Sequence, residues 1–140
     1  MESKIFVSDS DWFSIQIPVT WERYDDVGGT YAFFDATQWT GNLRISPLKW
    51  KPPKDKEISE EFLLEMAGEN SYRIGEFYCD DSKNYISSDG EDFVNYNWKL
   101  IKSEITFICS FTTLKKNENT ERNEIELKKV IAILESIKTK

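Results

Sequence analysis

The sequence predicts an α+β fold, a mainly antiparallel β-sheet of about six to eight strands covered by a helix near residues 56–67 and a C-terminal helix near 120–138. Three observations carry that expectation. The stretch WFSIQIPVTW (12–21) sets Phe13, Ile15 and Ile17 against Ser14 and Gln16, the alternation of a strand with one apolar face. Later segments repeat the alternation on either side of short polar turns, the order of consecutive hairpins. Two other segments carry apolar residues at helical spacing instead. At 140 residues, with no repeat and no long linker, the chain is expected to form a single domain, 1–140.

Taken in order, Lys4–Ser8 is a short strand at an edge or in a hairpin, set off by a DSD turn cluster. Pro18 denies the 12–21 strand a donor at its end, and Trp21 is expected to plug the core just beyond. Residues 22–27 read as one helical turn capped by Thr20 or as a new strand from Arg23. After Gly28-Gly29, Thr30–Asp35 is apolar on both faces, as in a strand covered on both sides. Ala36–Asn42 is expected to be a hairpin loop with Gly41 in a strained conformation and Trp39 exposed. Asn42–Leu48 alternates again, and Lys49–Lys56 (Trp50 included) is a basic, proline-broken connector.

The first helix is capped by Asp55 or Ser59, places Ile58, Phe62, Leu63 and Met66 on one stripe, and stops at Gly68. Tyr72–Cys79 and a short segment at Asn84–Ser87 read as two strands before a turn at Asp89-Gly90. Phe93–Ile101 and Ile105–Leu114, joined by Lys102-Ser103-Glu104, form the plainest hairpin. Asn119 or Thr120 caps the last helix, whose apolar stripe is Leu127, Val130, Ile131, Leu134 and Ile137, with Lys138 and Lys140 suiting its end.

Charge narrows the function. The net charge of −7 argues against nucleic acid, where affinity comes from neutralising phosphates. The imbalance is local: Glu57–Asp92 carries eleven acids and two bases, whereas Phe93–Lys140 carries six acids and nine bases. A basic protein would be steered to the first of these segments. The opening MESKIFVSDSDWF has neither a basic start nor a long apolar core, so no secretion signal is expected. No run approaches the roughly 20 apolar residues of a membrane helix, and no membrane partner is expected. Cys79 and Cys109 fall in strands and read as reduced, buried thiols of a cytoplasmic protein.

His is absent, which removes the commonest general base and transition-metal ligand. Asp80 and Asp81 beside Cys79 would blunt a thiolate. The acid pairs Asp25-Asp26, Glu60-Glu61, Asp80-Asp81 and Glu91-Asp92 are sequence neighbours, which on a strand point to opposite sides. Asp89-Gly90-Glu91-Asp92 is too short for a calcium loop, and Gly28-Gly29 lacks the lysine of a phosphate cradle. No catalytic residue, metal or other cofactor is expected.

The residues Phe13, Ser14, Ile15, Ile17, Pro18 and Trp21 match an F-S-(I/V)-x-(I/V)-P-x-x-W signature. The stretch therefore resembles the opening of PsbP-like domains, which include a photosystem subunit, a Ran-binding nuclear-import factor and many small bacterial proteins of unknown function. The resemblance implies an antiparallel sheet with helices on its faces, and binding or adaptor roles rather than catalysis. No Ran-binding residue can be matched.

These readings together predict a non-enzymatic cytoplasmic interaction module, of adaptor or immunity type, that offers an acidic loop surface to a protein partner. The candidate binding residues are Asp35, Trp39, Trp50, Asp80, Asp81, Asp89, Glu91 and Asp92. Two alternatives are a small-ligand carrier with an aromatic-lined pocket between sheet and helix, and a hydrolase using carboxylates alone.

Overall fold

The computed structural model describes residues 2–9, 13–25, 28–50 and 59–139, with the backbone only at Asp25. Expectations that fall on Trp12, Asp26, the connector and helix start at 51–58, and Lys140 lie outside the described residues.

Residues alternating apolar and polar make strands here because one face of each is drawn from water. In β2 (Phe13–Pro18), Phe13, Ile15 and Ile17 are buried and Gln16 is exposed. This strand does not join the large sheet. It lies between β1 (Ser3–Val7) and the two-residue β10 (Lys138–Thr139) in a small antiparallel sheet of its own. Trp21, 1% exposed, opens β3 (Trp21–Asp25) and fills the core as expected; of the two readings of 22–27, the strand holds over 22–25, and 26–27 lie outside the described residues.

The large sheet has seven antiparallel strands in the order β3-β4-β5-β9-β8-β7-β6. The remaining six are β4 (Tyr31–Asp35), β5 (Gly41–Lys49), β6 (Tyr72–Ile74), β7 (Phe77–Ser88), β8 (Glu91–Lys102) and β9 (Ile105–Leu114). Pro47 is tolerated in β5 because β4 pairs only as far as Ile45, so Pro47 has a partner strand on the β9 side alone. Gly41 is needed for space, since a Cβ there would lie 2.6 Å from the Thr112 carbonyl oxygen. The strained conformation expected of Gly41 is absent.

One face of this sheet is covered by the small sheet and by α2 (Glu121–Glu135). Phe13 meets Tyr31 and Phe107 edge-on at 5.3 Å, and Val130, Ile133, Leu134 and Ile137 join the same core. The Thr120 hydroxyl caps α2 by accepting from the Asn123 amide at 3.2 Å. The helix ends at Glu135, three residues short of the expected end. Ser136 turns the chain, and Lys138 and Thr139 pair with Ser14 and Phe13.

Among the described residues, the opposite face is covered at one end. There α1 (Glu60–Ala67) sets Leu63, Met66 and Ala67 on Tyr78 and Ile101. Ser59 caps it, accepting from the Phe62 amide at 3.1 Å, and Gly68 ends it at φ 98°. The expected strands at Tyr72–Cys79 and Asn84–Ser87 are differently divided. Gly75-Glu76 turns the chain after β6, and everything from Phe77 to Ser88 is one strand. The α+β architecture expected from the sequence, an antiparallel sheet of seven strands with two helices, is the one observed.

Candidate functional site

All the candidate binding acids except Asp35 belong to the β7–β8 hairpin. Its strands are twelve residues each and pair from Tyr78↔Ile101 to Ser88↔Glu91. The two-residue turn needs positive φ at both positions, which Asp89 (52°) and Gly90 (81°) supply. Because β6 pairs only with Phe77–Cys79, the rest of β7 forms the outer edge of the sheet, and Asp81–Ser88 is exposed throughout.

Asp80 and Asp81 sit side by side on this edge and point to opposite faces, across from Lys99 and Trp98. Asp81 Oδ2 accepts the Tyr72 hydroxyl at 2.6 Å. Burial, and then this hydrogen bond, push the Tyr72 phenol well above its ordinary pKa. Asp89 forms the tip. Glu91 and Asp92 open β8, and Asp92 Oδ1 accepts from Ser87 Oγ at 2.5 Å. The tip is not purely acidic, because Lys115 and Lys116 line a depression of about 520 Å³ with Glu91, Asp92 and Leu114.

The base on the edge, Lys83, is held by Glu118 Oε2 at 2.8 Å, and the Tyr85 hydroxyl donates to the same oxygen at 2.7 Å. That hydrogen bond holds the Glu118 carboxyl below its ordinary pKa and Lys83 above. Lys115 lies 5.2 Å from the Tyr85 ring and acts on the same carboxylate, so Glu118 faces two lysines at mid-edge and the acids prevail at its two ends, at Asp80-Asp81 and at Asp89.

The other candidates are divided. Trp39 is 67% exposed, and its indole nitrogen donates to Asn42 Oδ1 at 3.0 Å. With Tyr24, Phe34 and Arg44 it lines a shallow aromatic depression on the open face. Trp39 precedes β5, whose first residue pairs with Thr113 near the end of β9, and Leu114 in turn pairs with Phe93 near the start of β8. Trp39 and the acidic tip therefore share one end of the sheet. From β5 to β7 is three strand spacings, about 15 Å.

Trp50 lies at the other end. Its amide donates to the Glu104 carbonyl at 2.9 Å and its ring meets Phe62 of α1 at 5.8 Å, so it docks on the body. Asp35 is buried at 5% exposure, with Thr37 N and Thr37 Oγ1 donating to one carboxylate oxygen at 3.0 and 2.7 Å. Burial raises its pKa, but the Thr37 donors and the Lys129 charge outweigh that and hold it below the usual value.

Two groupings were not read from the sequence. Asn123 and Glu126, both 4% exposed, continue the stripe of α2 inward, so helical phase extended toward the N-terminus would have found them. Asn123 donates to the Tyr96 hydroxyl at 3.0 Å, and Lys129 Nζ lies 3.5 Å from Glu126. Asp35 lies close enough to Glu126 to raise its pKa. Both acids are buried, Glu126 on the inner face of α2, and the candidate acids of β7–β8 sit along an edge, so among these described residues no two carboxylates face each other across an open cleft. The second grouping is a cleft of about 300 Å³ between β7–β8 and α2, lined by Tyr72, Asp81, Tyr96, Trp98, Leu127 and Ile131. Its aromatic members fall on two strands, Tyr72 on β6 and Tyr96 and Trp98 on β8, and only the register through β7 brings them together.

No three Cys, Asp or Glu side chains among the described residues converge as metal ligands, and none of the described helices is long and apolar enough to cross a membrane. No curated protein matches the chain. A protein from Bacteroides thetaiotaomicron has a similar structure, at 27% identity and a TM-score of 0.75, over 100% of this chain and 49% of its own. This chain thus spans about half the length of that one. A mutant of the protein Mog1 shares the fold at 7% identity, with a TM-score of 0.60 over 99% of this chain and 96% of that one. Cyanobacterial PsbP from Synechocystis sp. PCC 6803 aligns over 99% of this chain and 92% of its own, at 12% identity and a TM-score of 0.48. A family model described as a domain of unknown function, DUF3805, matches residues 1–139, and the chain belongs to that family.

Proposed function

We propose that the chain is a non-enzymatic protein-interaction module, acting as one unit over 1–140 in the cytoplasm as an adaptor or immunity-like protein. It presents the β7–β8 hairpin to a basic protein. The observation that carries this reading is the placement of Asp80, Asp81, Asp89, Glu91 and Asp92 on one exposed hairpin whose single edge lysine is already paired with Glu118. Trp39, at the same end of the sheet, serves as the apolar anchor, since a large exposed ring fits the centre of an interface better than open solvent.

Affinity capture from native lysate at low and high salt tests the proposal. A specific partner should be retained at low salt and lost as salt rises, because exposed charges are screened beyond about 10 Å at 0.1 M. Reversing Asp80, Asp81, Glu91 and Asp92 to Lys should abolish capture. Unchanged capture after that reversal would sink the proposal.

The cleft beneath α2 favours a second reading, carriage of a small ligand. Its volume of about 300 Å³ is at the lower end of ordinary ligand sites, and Tyr96 and Trp98 lie stacked at 6.5 Å beside it. Mass spectrometry of the denatured, freshly purified protein would reveal a stoichiometric small molecule; its absence, with no change in tryptophan fluorescence across a metabolite library, would remove this reading.

A further inference from the structure

We infer that the free edge of β7, from Asp81 to Ser87, takes an extended basic segment of a protein partner as an added strand of the sheet. This rests on the acidic-hairpin reading and states how that surface binds. An edge strand offers alternate backbone groups to a new neighbour, and the register shows which ones. The two-residue turn makes Ser88 and Glu91 the pair that exchanges hydrogen bonds within the hairpin. Counting back by two, Ser87, Tyr85, Lys83 and Asp81 turn their amides and carbonyls away from β8. The same parity holds at the other end, where Cys79 pairs with Tyr72 of β6. A new strand would therefore continue the line of β6 along about seven residues, or roughly 23 Å.

Charge selects the occupant. A second copy paired in parallel would set Asp81 against Asp81, and one paired antiparallel over the same seven residues would set Asp81 opposite Ser87 beside the other copy's Asp89, so neither direction gives the acids a base to face. An incoming basic strand meets Asp81 on one face and Asp80 on the other, with Asp89 and Asp92 toward the tip. Lys83 is paired with Glu118, and Lys115 stands 5.2 Å from the Tyr85 ring, so the charges of the incoming strand belong at its two ends rather than at its middle. The backbone supplies the hydrogen bonds and the acids supply the choice of partner.

The test uses a capped nonapeptide of alternating Lys and Val as probe, the same peptide with every amide N-methylated so that neither edge can donate, and a version with Glu in place of Lys. Binding is read by fluorescence anisotropy at low salt, and amide hydrogen exchange locates it. The protein variants are Lys83→Ala, Lys83→Pro and the fourfold acid-to-lysine reversal. Both changes at Lys83 remove the Glu118 contact, but only proline also removes the outward amide, which the β8 ladder does not use. The basic peptide should protect the amides of Asp81, Lys83, Tyr85 and Ser87. Lys83→Ala should bind within about twofold of the wild type, and Lys83→Pro should lose about tenfold or more.

Equal binding by the Ala and Pro variants, equal binding of the N-methylated peptide, protection elsewhere, or no binding by the wild type would overturn strand addition. If Lys83→Pro fails to fold, the N-methylated peptide on the wild type decides alone. Lysate capture lost on charge reversal but untouched by Lys83→Pro would leave the acidic surface standing and remove the added strand. Capture indifferent to both would remove both.

Discussion

Glu126 illustrates how a single side chain can work against the fold it sits in. Burial raises its carboxyl pKa, Asp35 adds to the rise, and Lys129 and Thr40 recover only part. A carboxyl whose pKa is higher folded than unfolded lowers stability as pH climbs from the unfolded value, about 4.3, through the folded one. Glu126→Gln keeps the shape and removes the charge. Denaturant midpoints should show the variant more stable than the wild type at neutral pH, with the difference vanishing toward pH 4; a less stable variant at pH 7 would mean that the Lys129 pairing outweighs burial. Asp35 carries the opposite sign, since its lowered pKa contributes stability that is lost as pH falls through the folded value. The sequence marked Asp35 as a surface candidate and passed over Glu126. Acidity is visible in a sequence, but burial of an acid depends on which helix lands on it.

At the scale of elements, legibility followed the environment of each face. The β8–β9 hairpin could be read because Val94, Trp98 and Leu100 lie across from Thr113, Cys109 and Phe107 on one buried face. β7 could not be read as one strand, because from Asp81 onward it is exposed on both faces and alternation has no cause there. β10 was illegible for another reason: two residues leave no pattern, and Lys138-Thr139 is a strand only because β2 lies beside it. The start of α2 was legible through its cap. Thr120→Ala removes the acceptor of the Asn123 amide and should cost about 1 kcal/mol in denaturant unfolding. Asn123 also holds the Tyr96 hydroxyl, so loosening this turn should shift tryptophan fluorescence through the adjacent Trp98. A loss below about 0.3 kcal/mol would show that the 3₁₀ turn at Lys115–Asn117 positions the helix without the cap.

For the molecule as a whole, the opening and closing segments meet. β1 and β10 flank β2, the Ser136 hydroxyl accepts from the Gln16 amide at 2.8 Å, and the core runs unbroken from β2 through the large sheet to α2. The two cysteines report on that continuity. Cys79 on β7 lies across from Leu100, and Cys109 on β9 across from Trp98, so β8 separates them. Two strand spacings make about 10 Å, beyond the roughly 7 Å a disulfide can bridge. Burial pushes the Cys79 thiol up to about 11 and raises Cys109 as well. Neither thiol is then a useful nucleophile near neutral pH while the chain is folded. If the core opens as one unit, both should react with an aromatic disulfide reagent at the same rate in native buffer, equal to the rate set by global unfolding. Denaturant should accelerate the two in parallel. A Cys79 that reacts well ahead of Cys109 would instead show that the β6–β7 edge opens separately. That outcome would bear on partner binding too, because the edge that frays would be the one proposed to receive an added strand.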